Sequence, residues 1–266
     1  MDDMDKIARN TPHIARIYPN GPLNVPDFYD AGGVPAVMKQ LSPILKMDAM
    51  TCTGRTWGEI LETMPFTYNE MIHSIEDAFH TWGSLAVLRG NIAPDSAITK
   101  PTAIDPSMLH FSGTARCFDS EDEATVAVHE GSIEPGTVLV IRYEGPKGGP
   151  GMREMVRIMK MLYGQGLALS TAVITDGRFS GTNNGCFVGH ISPEASEGGP
   201  IAAIKDGDQI EIDVEKGTLN MMVSEQELQQ RMEALQIKKP KQLKGYLNVY
   251  ARLAESADKG AIIKNR

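Results

Sequence analysis

Two short, β-branched apolar runs, each emptying into a glycine-rich turn, constrain this chain more than any other feature. The first is Thr137-Val-Leu-Val-Ile-Arg-Tyr143, followed by Glu144-Gly-Pro-Lys-Gly-Gly-Pro-Gly151. The second is Thr171-Ala-Val-Ile-Thr175, followed by Asp176-Gly-Arg-Phe-Ser-Gly181. Runs this short and this rich in Val, Ile and Thr favour buried strands over helices. The glycines let a ligand approach the backbone closely, and strand ends that carry polar turns are common places for chemistry.

Further strands are expected at Leu85–Leu88, Gln209–Val214 and Thr218–Val223. Gln209–Val214 alternates polar and apolar residues, as a half-exposed strand does. Ser120-Glu-Asp-Glu123 and Ser224-Glu-Gln-Glu227 have the form of capping boxes, predicting helices that run to about Gly131 and about Gln236. Helices are also expected at Met152–Leu162 and Tyr246–Ala257. Upstream, residues 1–83 read as mainly helical. Asp27–Leu45 gives two short helices with a turn at Ala31-Gly-Gly-Val-Pro35, and Thr56–Met64 a third segment stopped by Pro65. Glu70–Trp82 carries Met71, Ile72, Ile75, Phe79 and Trp82, an apolar stripe at helical spacing. Pattern alone therefore divides the chain into a helix-rich piece over 1–83 and a strand-rich domain over 84–266.

A net charge of −8 and a pI near 5.3 argue against nucleic acid or an anionic membrane as partner. No apolar run reaches the ~18 residues needed to span a bilayer. The acidic start, Met-Asp-Asp-Met-Asp-Lys, lacks the basic-then-apolar pattern of a signal peptide, so a soluble cytoplasmic protein is expected. Three cysteines, Cys52, Cys117 and Cys186, are odd in number and widely spaced. Neither a disulfide framework nor a zinc cluster fits them, and they read as small buried apolar residues. His13, His73 and His80 read as surface or packing histidines.

Five residues around the two turns are candidates for chemistry. Glu154 stands at the start of the expected helix Met152–Leu162, where free backbone N–H groups keep a carboxylate ionised. It is either a metal carboxylate or a helix-charge residue. Ser180 is three residues after Gly177, so it is not the Gly-x-Ser-x-Gly elbow of hydrolases, and a turn serine bonded to its own backbone is the plain reading. Arg178 either orients a carboxylate through a bidentate contact or braces its loop against Asp176. His190, with Glu194, either lines the site or belongs to a structural turn. The run Glu144–Gly151 lacks the Gly-Lys-Ser/Thr ending of a phosphate loop, and its prolines remove donors.

Read together, these motifs resemble the C-terminal signature of the dihydroxy-acid dehydratase and phosphogluconate dehydratase family, which includes the sugar-acid dehydratases. The residues that carry the resemblance are Tyr143–Met152, Ile174–Gly181, Gly189-His-Ile-Ser-Pro-Glu-Ala195, Gly198-Gly-Pro-Ile201 and Asp206-Gly-Asp208. Upstream, Thr11-Pro-His13, Ala31–Ala36 and Gly90-Asn-Ile-Ala-Pro94 also fit.

The resemblance implies an α+β fold: a β-barrel-like domain with flanking helices, similar to the swivelling domain of aconitase, over 84–266. Residues 1–83 would be the helical tail of a larger α/β domain. It implies elimination of water from a 2,3-dihydroxy or sugar acid to give a 2-oxo acid. In that reaction Ser180 is the catalytic base and Glu154 a Mg²⁺ ligand. Arg178, Gly181 and Thr182 would contact the substrate. It further implies an iron–sulfur cluster whose ligands stand in an upstream domain, not among Cys52, Cys117 and Cys186. The expected partners are the hydroxy-acid substrate and a large-subunit partner or a second copy of the chain.

Three functions remain open: the C-terminal part or small subunit of such a dehydratase, a non-catalytic ligand-binding or regulatory module descended from one, or a Mg²⁺-dependent enzyme doing simpler sugar-acid chemistry with Glu154 and Ser180. Which acid is the substrate stays undecided.

Overall fold

The computed structural model describes residues 1–18, 21–64, 70–180, 184–238 and 244–263. The chain divides into two compact units, Asp2–Ser84 and Leu85–Arg266.

The first unit contains α1 (Asp2–Asn10), α2 (Val25–Asp30), α3 (Gly33–Gln40) and α4 (Trp57–Glu62). The expected break between α2 and α3 is present: Gly32 takes a φ of 100°, which turns the chain between them. Pro35 then lies in the first turn of α3, where a missing N–H costs nothing. Thr56 starts α4 through a reciprocal capping box. Its hydroxyl accepts the Glu59 N–H at 3.3 Å and the Glu59 carboxylate accepts the Thr56 N–H at 2.7 Å.

The helix expected over Glu70–Trp82 is not formed. This stretch pairs instead with the N-terminal strand-like segment, in isolated antiparallel bridges His13↔His80 and Ala15↔Ile72. The N–H groups of His73 and Phe79 go to the carbonyls of Ile14 and His13, so they are not available to a helical turn. Met71 and Ile72 are both buried beside Ala36 in a small core. His13 and His80 stack face to face, ring centroids 5.5 Å apart.

The second unit is α+β and is built on one eight-stranded sheet. Its strands are β1 (Ala86–Leu88), β2 (Ser96–Thr99), β3 (His110–Phe118), β4 (Thr137–Ile141), β5 (Ala172–Thr175), β6 (Cys186–Ser192), β7 (Gln209–Asp213) and β8 (Thr218–Met221). They lie in the order β1-β2-β6-β5-β4-β3-β7-β8, with β6, β5, β4 and β3 parallel and the remaining neighbours antiparallel.

The two outer strands meet. Arg89, just past β1, bridges to Thr218 of β8, and the Asn91 side chain both donates to Met221 O and accepts the Met221 N–H, each at 2.7 Å. The sheet is thereby nearly closed into a barrel. Gly90 makes this contact possible, because a Cβ there would collide with the Leu219 carbonyl.

Helices flank the sheet. α5 (Glu121–His129) links β3 to β4, α6 (Val156–Gly164) lies between β4 and β5, and α7 (Glu225–Glu233) and α8 (Tyr246–Leu253) follow the last strand. Leu139, Ile141, Val173 and Phe187 face Ala124, Val128, Ile158 and Leu162 of α5 and α6, while Val138 and Val140 point to the opposite face of the sheet. At about 1.5–3 kcal/mol for each large aliphatic side chain buried, this layer outweighs anything two nine-residue helices gain alone, and it fixes where β4 and β5 end. No helix among the described residues is long and apolar enough to cross a membrane.

Candidate active site at the ends of two parallel strands

β4 and β5 run side by side with Ile141 opposite Thr175, so both glycine-rich turns leave the same edge of the sheet. Crevices at the carboxyl ends of parallel strands are the usual ligand sites of such sheets.

The first turn is held from below by carboxylates. Asp176 is fully buried and accepts three backbone N–H groups, from Tyr143 at 3.1 Å, Glu144 at 2.9 Å and Ala195 at 2.9 Å. Burial pushes its pKa up to about 6, and the three N–H donors oppose that rise. Glu194 accepts the N–H groups of Lys147 and Gly148, each at 2.8 Å. Burial pushes Glu194 up to about 7, against the same kind of N–H donation, and the charge of Asp176 adds to the rise.

A third and a fourth carboxylate extend the framework. Glu144 accepts the Glu121 N–H at 3.0 Å, and Glu121 accepts the N–H groups of Arg157 and Ile158 at 3.1 and 3.3 Å. Glu121 therefore caps α6 from outside that helix, taking up the free donors and positive field that would otherwise attract an anion there. The first turn is a scaffold.

The second turn presents its side chains. The Gly177 N–H is held by Thr175 Oγ1 at 2.9 Å, and the His190 N–H by Gly177 O at 2.8 Å. Glu154 and Arg178 form a parallel β-bridge, with the Met155 N–H donating to Arg178 O at 2.9 Å. This corrects the expected placement of Glu154. The helix begins at Val156, and Glu154 precedes it in extended backbone, because the pairing with Arg178 draws the chain out before the first helical turn.

The consequence is useful. Glu154 is half-buried and sits beside Arg178, two residues from Ser180. Arg178 is exposed and its Nε donates to Met152 O at 2.6 Å, while Asp176, its expected brace, is occupied by backbone N–H groups. Ser180 is exposed. Gly181 and Thr182 lie outside the described residues.

Beside Ser180 is a cavity of about 90 Å³, lined by Ile98, Lys100, Phe179, Phe187 and His190 among others. His190 has a φ of 56°, a left-handed backbone rare outside glycine. Burial holds its imidazole below the ordinary histidine range, and the Arg178 guanidinium adds to that effect. Sequence reasoning named His190 and Glu194 without separating their roles, and it missed Glu121 and the anchoring part of Asp176. The only local signal for Asp176 was an acid placed directly after a fully apolar strand.

The thiols do not form a cluster site. Cys186 on β6 is fully buried and Cys117 on β3 half-buried, with two strands between them, and burial pushes both pKa values up to about 12. A neutral thiol is not a metal ligand. Cys52, in the other unit, is exposed. Among the described residues no group of three or more His, Cys, Asp or Glu side chains comes together to hold a metal ion. These residues do not fit an iron–sulfur cluster. Glu154 alone does fit the habit of Mg²⁺, which takes one or two protein carboxylates and fills its remaining positions with water and substrate oxygens.

Fold and site together define a barrel-like α+β domain that presents a serine turn beside a half-buried carboxylate. The family model described as dihydroxy-acid/6-phosphogluconate dehydratase C-terminal matches residues 70–261, and the corresponding N-terminal model matches residues 1–60. The chain belongs to the dihydroxy-acid/6-phosphogluconate dehydratase family.

It is 47% identical over 268 residues to a dihydroxy-acid dehydratase of Acetivibrio thermocellus, covering 100% of this chain and 48% of that protein. It is 46% identical over 266 residues to one from Ruminiclostridium cellulolyticum (99% of this chain, 48% of that protein) and 46% identical over 267 residues to one from Methanosarcina barkeri, with the same coverage. The chain spans about half the length of the curated relatives it matches.

Proposed function

We propose that this chain carries the serine-bearing part of a hydro-lyase site that removes water from a 2,3-dihydroxy or sugar acid to give a 2-oxo acid. The observation that carries this reading is the bridge between Glu154 and Arg178, which fixes the Ser180 turn against the segment bearing the candidate metal carboxylate.

Ser180 Oγ, as the alkoxide, takes the proton from C2. The C2–H electron pair forms the C2=C3 bond as the 3-hydroxyl leaves, and that hydroxide and the proton together make up the water lost. The enol then tautomerises to the 2-oxo acid. A serine hydroxyl is a very weak acid, and its anionic form needs positive charge close by. The Arg178 guanidinium, whose field already depresses His190, contributes such charge from this chain. The turn residues Gly181 and Thr182, with Arg178, contact the substrate. Glu154 would hold Mg²⁺, which when bound would supply positive charge to the substrate's oxygens. An iron–sulfur cluster, where one takes part, is held by residues outside this chain, since its three thiols do not suit one.

The site is completed by a partner domain, a large subunit or a second copy. A cytoplasmic location accords with the acidic composition.

The test is complementation. The chain is co-expressed anaerobically with the N-terminal half of the Acetivibrio thermocellus relative, and the copurified complex is assayed for 2-oxo acid formation from a panel of dihydroxy and sugar acids. Activity that disappears in Ser180→Ala supports the reading. A stable complex inactive on every acid favours a ligand-binding or regulatory module instead.

A further inference from the structure

Two consecutive charged residues, Arg153 and Glu154, stand on the extended stretch between the first turn and α6. Successive side chains of extended backbone point to opposite sides, so the two residues meet different neighbours. Arg153 meets α5 and the first turn. One guanidinium nitrogen, Nη2, stands 3.4 Å from the carboxylate of Glu121, 3.5 Å from that of Asp122 and 3.7 Å from that of Glu144. Glu121 and Asp122 open α5, and Glu144 opens the first turn. Glu121 and Glu144 are buried, so salt screens these pairs less than surface ones.

Met155 takes the same side as Arg153. It is fully buried in the core that includes Ala124, Ala127 and Val128 of α5. With both neighbours committed to the α5 side, Glu154 is directed away from it, to the side on which its bridge partner Arg178 presents its own side chain. Backbone contacts hold the stretch against the serine turn, through the Met155 N–H to Arg178 O at 2.9 Å and Arg178 Nε to Met152 O at 2.6 Å. A slip of one residue would exchange the two charges and bring Glu154 against three carboxylates. Like-charge repulsion opposes that arrangement, and the Arg153 ion pairs favour the observed one.

We propose that Arg153 is a positioning residue for Glu154, its ion pairs with Glu121, Asp122 and Glu144 holding the stretch so that the Glu154 carboxylate is presented on the Arg178 side to Mg²⁺. The proposal rests on the metal role given to Glu154 above, and it adds a residue that touches neither metal nor substrate. The three contacts share one nitrogen, the geometry of a point charge rather than of a bidentate fork. Lysine should therefore serve in place of arginine here.

The test uses the whole chain and Mn²⁺, a paramagnetic stand-in for Mg²⁺, titrated while the backbone amide signals are followed by NMR. In the wild type, broadening is expected to centre on Glu154, Met155 and Arg178, and Glu154→Gln should abolish it. Arg153→Met should weaken Mn²⁺ binding there about tenfold or more, the usual cost of removing a group that orients a metal ligand. A move of the broadening from Arg178 to Glu121 and Asp122 in that variant counts as the same loss. Arg153→Lys should stay within about threefold of wild type, a rescue that a role in shape alone would not give. In a Glu154→Gln background, Arg153→Met should change nothing further.

Wild-type affinity in Arg153→Met overturns the proposal, as does a loss in Arg153→Lys equal to that in Arg153→Met. If Arg153→Met perturbs the fold, seen as amide shifts across β4 and β5, Arg153→Gln is read in its place. Broadening absent from Glu154 in the wild type defeats the metal role of Glu154 and this proposal together. Loss in Glu154→Gln without loss in Arg153→Met defeats the proposal alone and leaves the metal role standing.

Discussion

The two glycine-rich turns differ less in composition than in how they are held. Glu144–Gly151 rests on Asp176 and Glu194, which together accept four N–H groups from Tyr143 to Gly148. Gly177–Ser180 is held by single contacts to Thr175, Met155 and Met152 and by the ring of Phe179, 5.3 Å from that of Phe187, and it ends on the exposed Ser180. One turn takes its shape from buried acids, and the other inherits its position from the first. The candidate site therefore lies on the turn without buried carboxylates, while the carboxylate framework stands one strand away.

Asp176→Ala should show the contrast most strongly. It removes the acceptor of three buried N–H groups, each costing about 1–3 kcal/mol when orphaned, so a loss of about 4 kcal/mol or more is expected in urea denaturation.

Glycine substitutions probe the same difference more gently. A Cβ on Gly148 would lie 2.9 Å from Tyr143 backbone atoms that cannot give way, and Gly148→Ala should cost about 2–3 kcal/mol. On Gly177 the nearest atom is the flexible Met155 Cε at 3.0 Å, so Gly177→Ala should cost about 1 kcal/mol. Equal losses at the two positions would break the comparison.

The pH dependence has a definite sign. Asp176 rises from 3.8 to about 6 on folding and Glu194 from 4.5 to about 7. The native state thus binds these protons more tightly than the unfolded chain, and their ionisation opposes folding. Their contribution to stability falls as pH rises from about 4 to about 7 and is flat above that. Thermal melts across this range should show that slope, and Glu194→Gln should flatten it. The smallest effect on stability is expected for Ser180→Ala, within about 0.5 kcal/mol of wild type by the same denaturation, although it abolishes activity in the complemented enzyme.

Much of this was legible in the sequence for physical reasons that are local. β4 and β5 are uninterrupted apolar runs, and the Ser120, Ser224 and Thr56 helix starts are written in two residue types at fixed spacing. Where position depends on distant partners, legibility ends. β3 (His110–Phe118) mixes charges and a glycine, because its exposed and buried positions follow different neighbours, β4 and β7. β6 contains Gly189 and His190, which read as a motif and concealed the strand. The stripe from Met71 to Trp82 has helical spacing but meets a strand-like partner in residues 13–15, and tertiary pairing won over local periodicity. Ser180, Arg178 and Glu154 were singled out as candidates by motif. The carboxylate framework beneath them was not, since only the fold brings Glu121 to α6 and Asp176 to Ala195.

The closure of the barrel at Arg89 and Thr218 bears on how such a molecule is made. Asn91 and its partners Asn220 and Met221 are 129 and 130 residues apart, so the seam joins the first strand of this unit to the last. During synthesis the N-terminal side of the seam emerges from the ribosome long before the C-terminal side exists. Until then β1 has an unpaired flank, and the nascent sheet is an open ribbon able to pair with a neighbouring chain. Termination just before Thr218 would leave that ribbon permanently unsealed. Sealing of this sheet thus waits on its final strand.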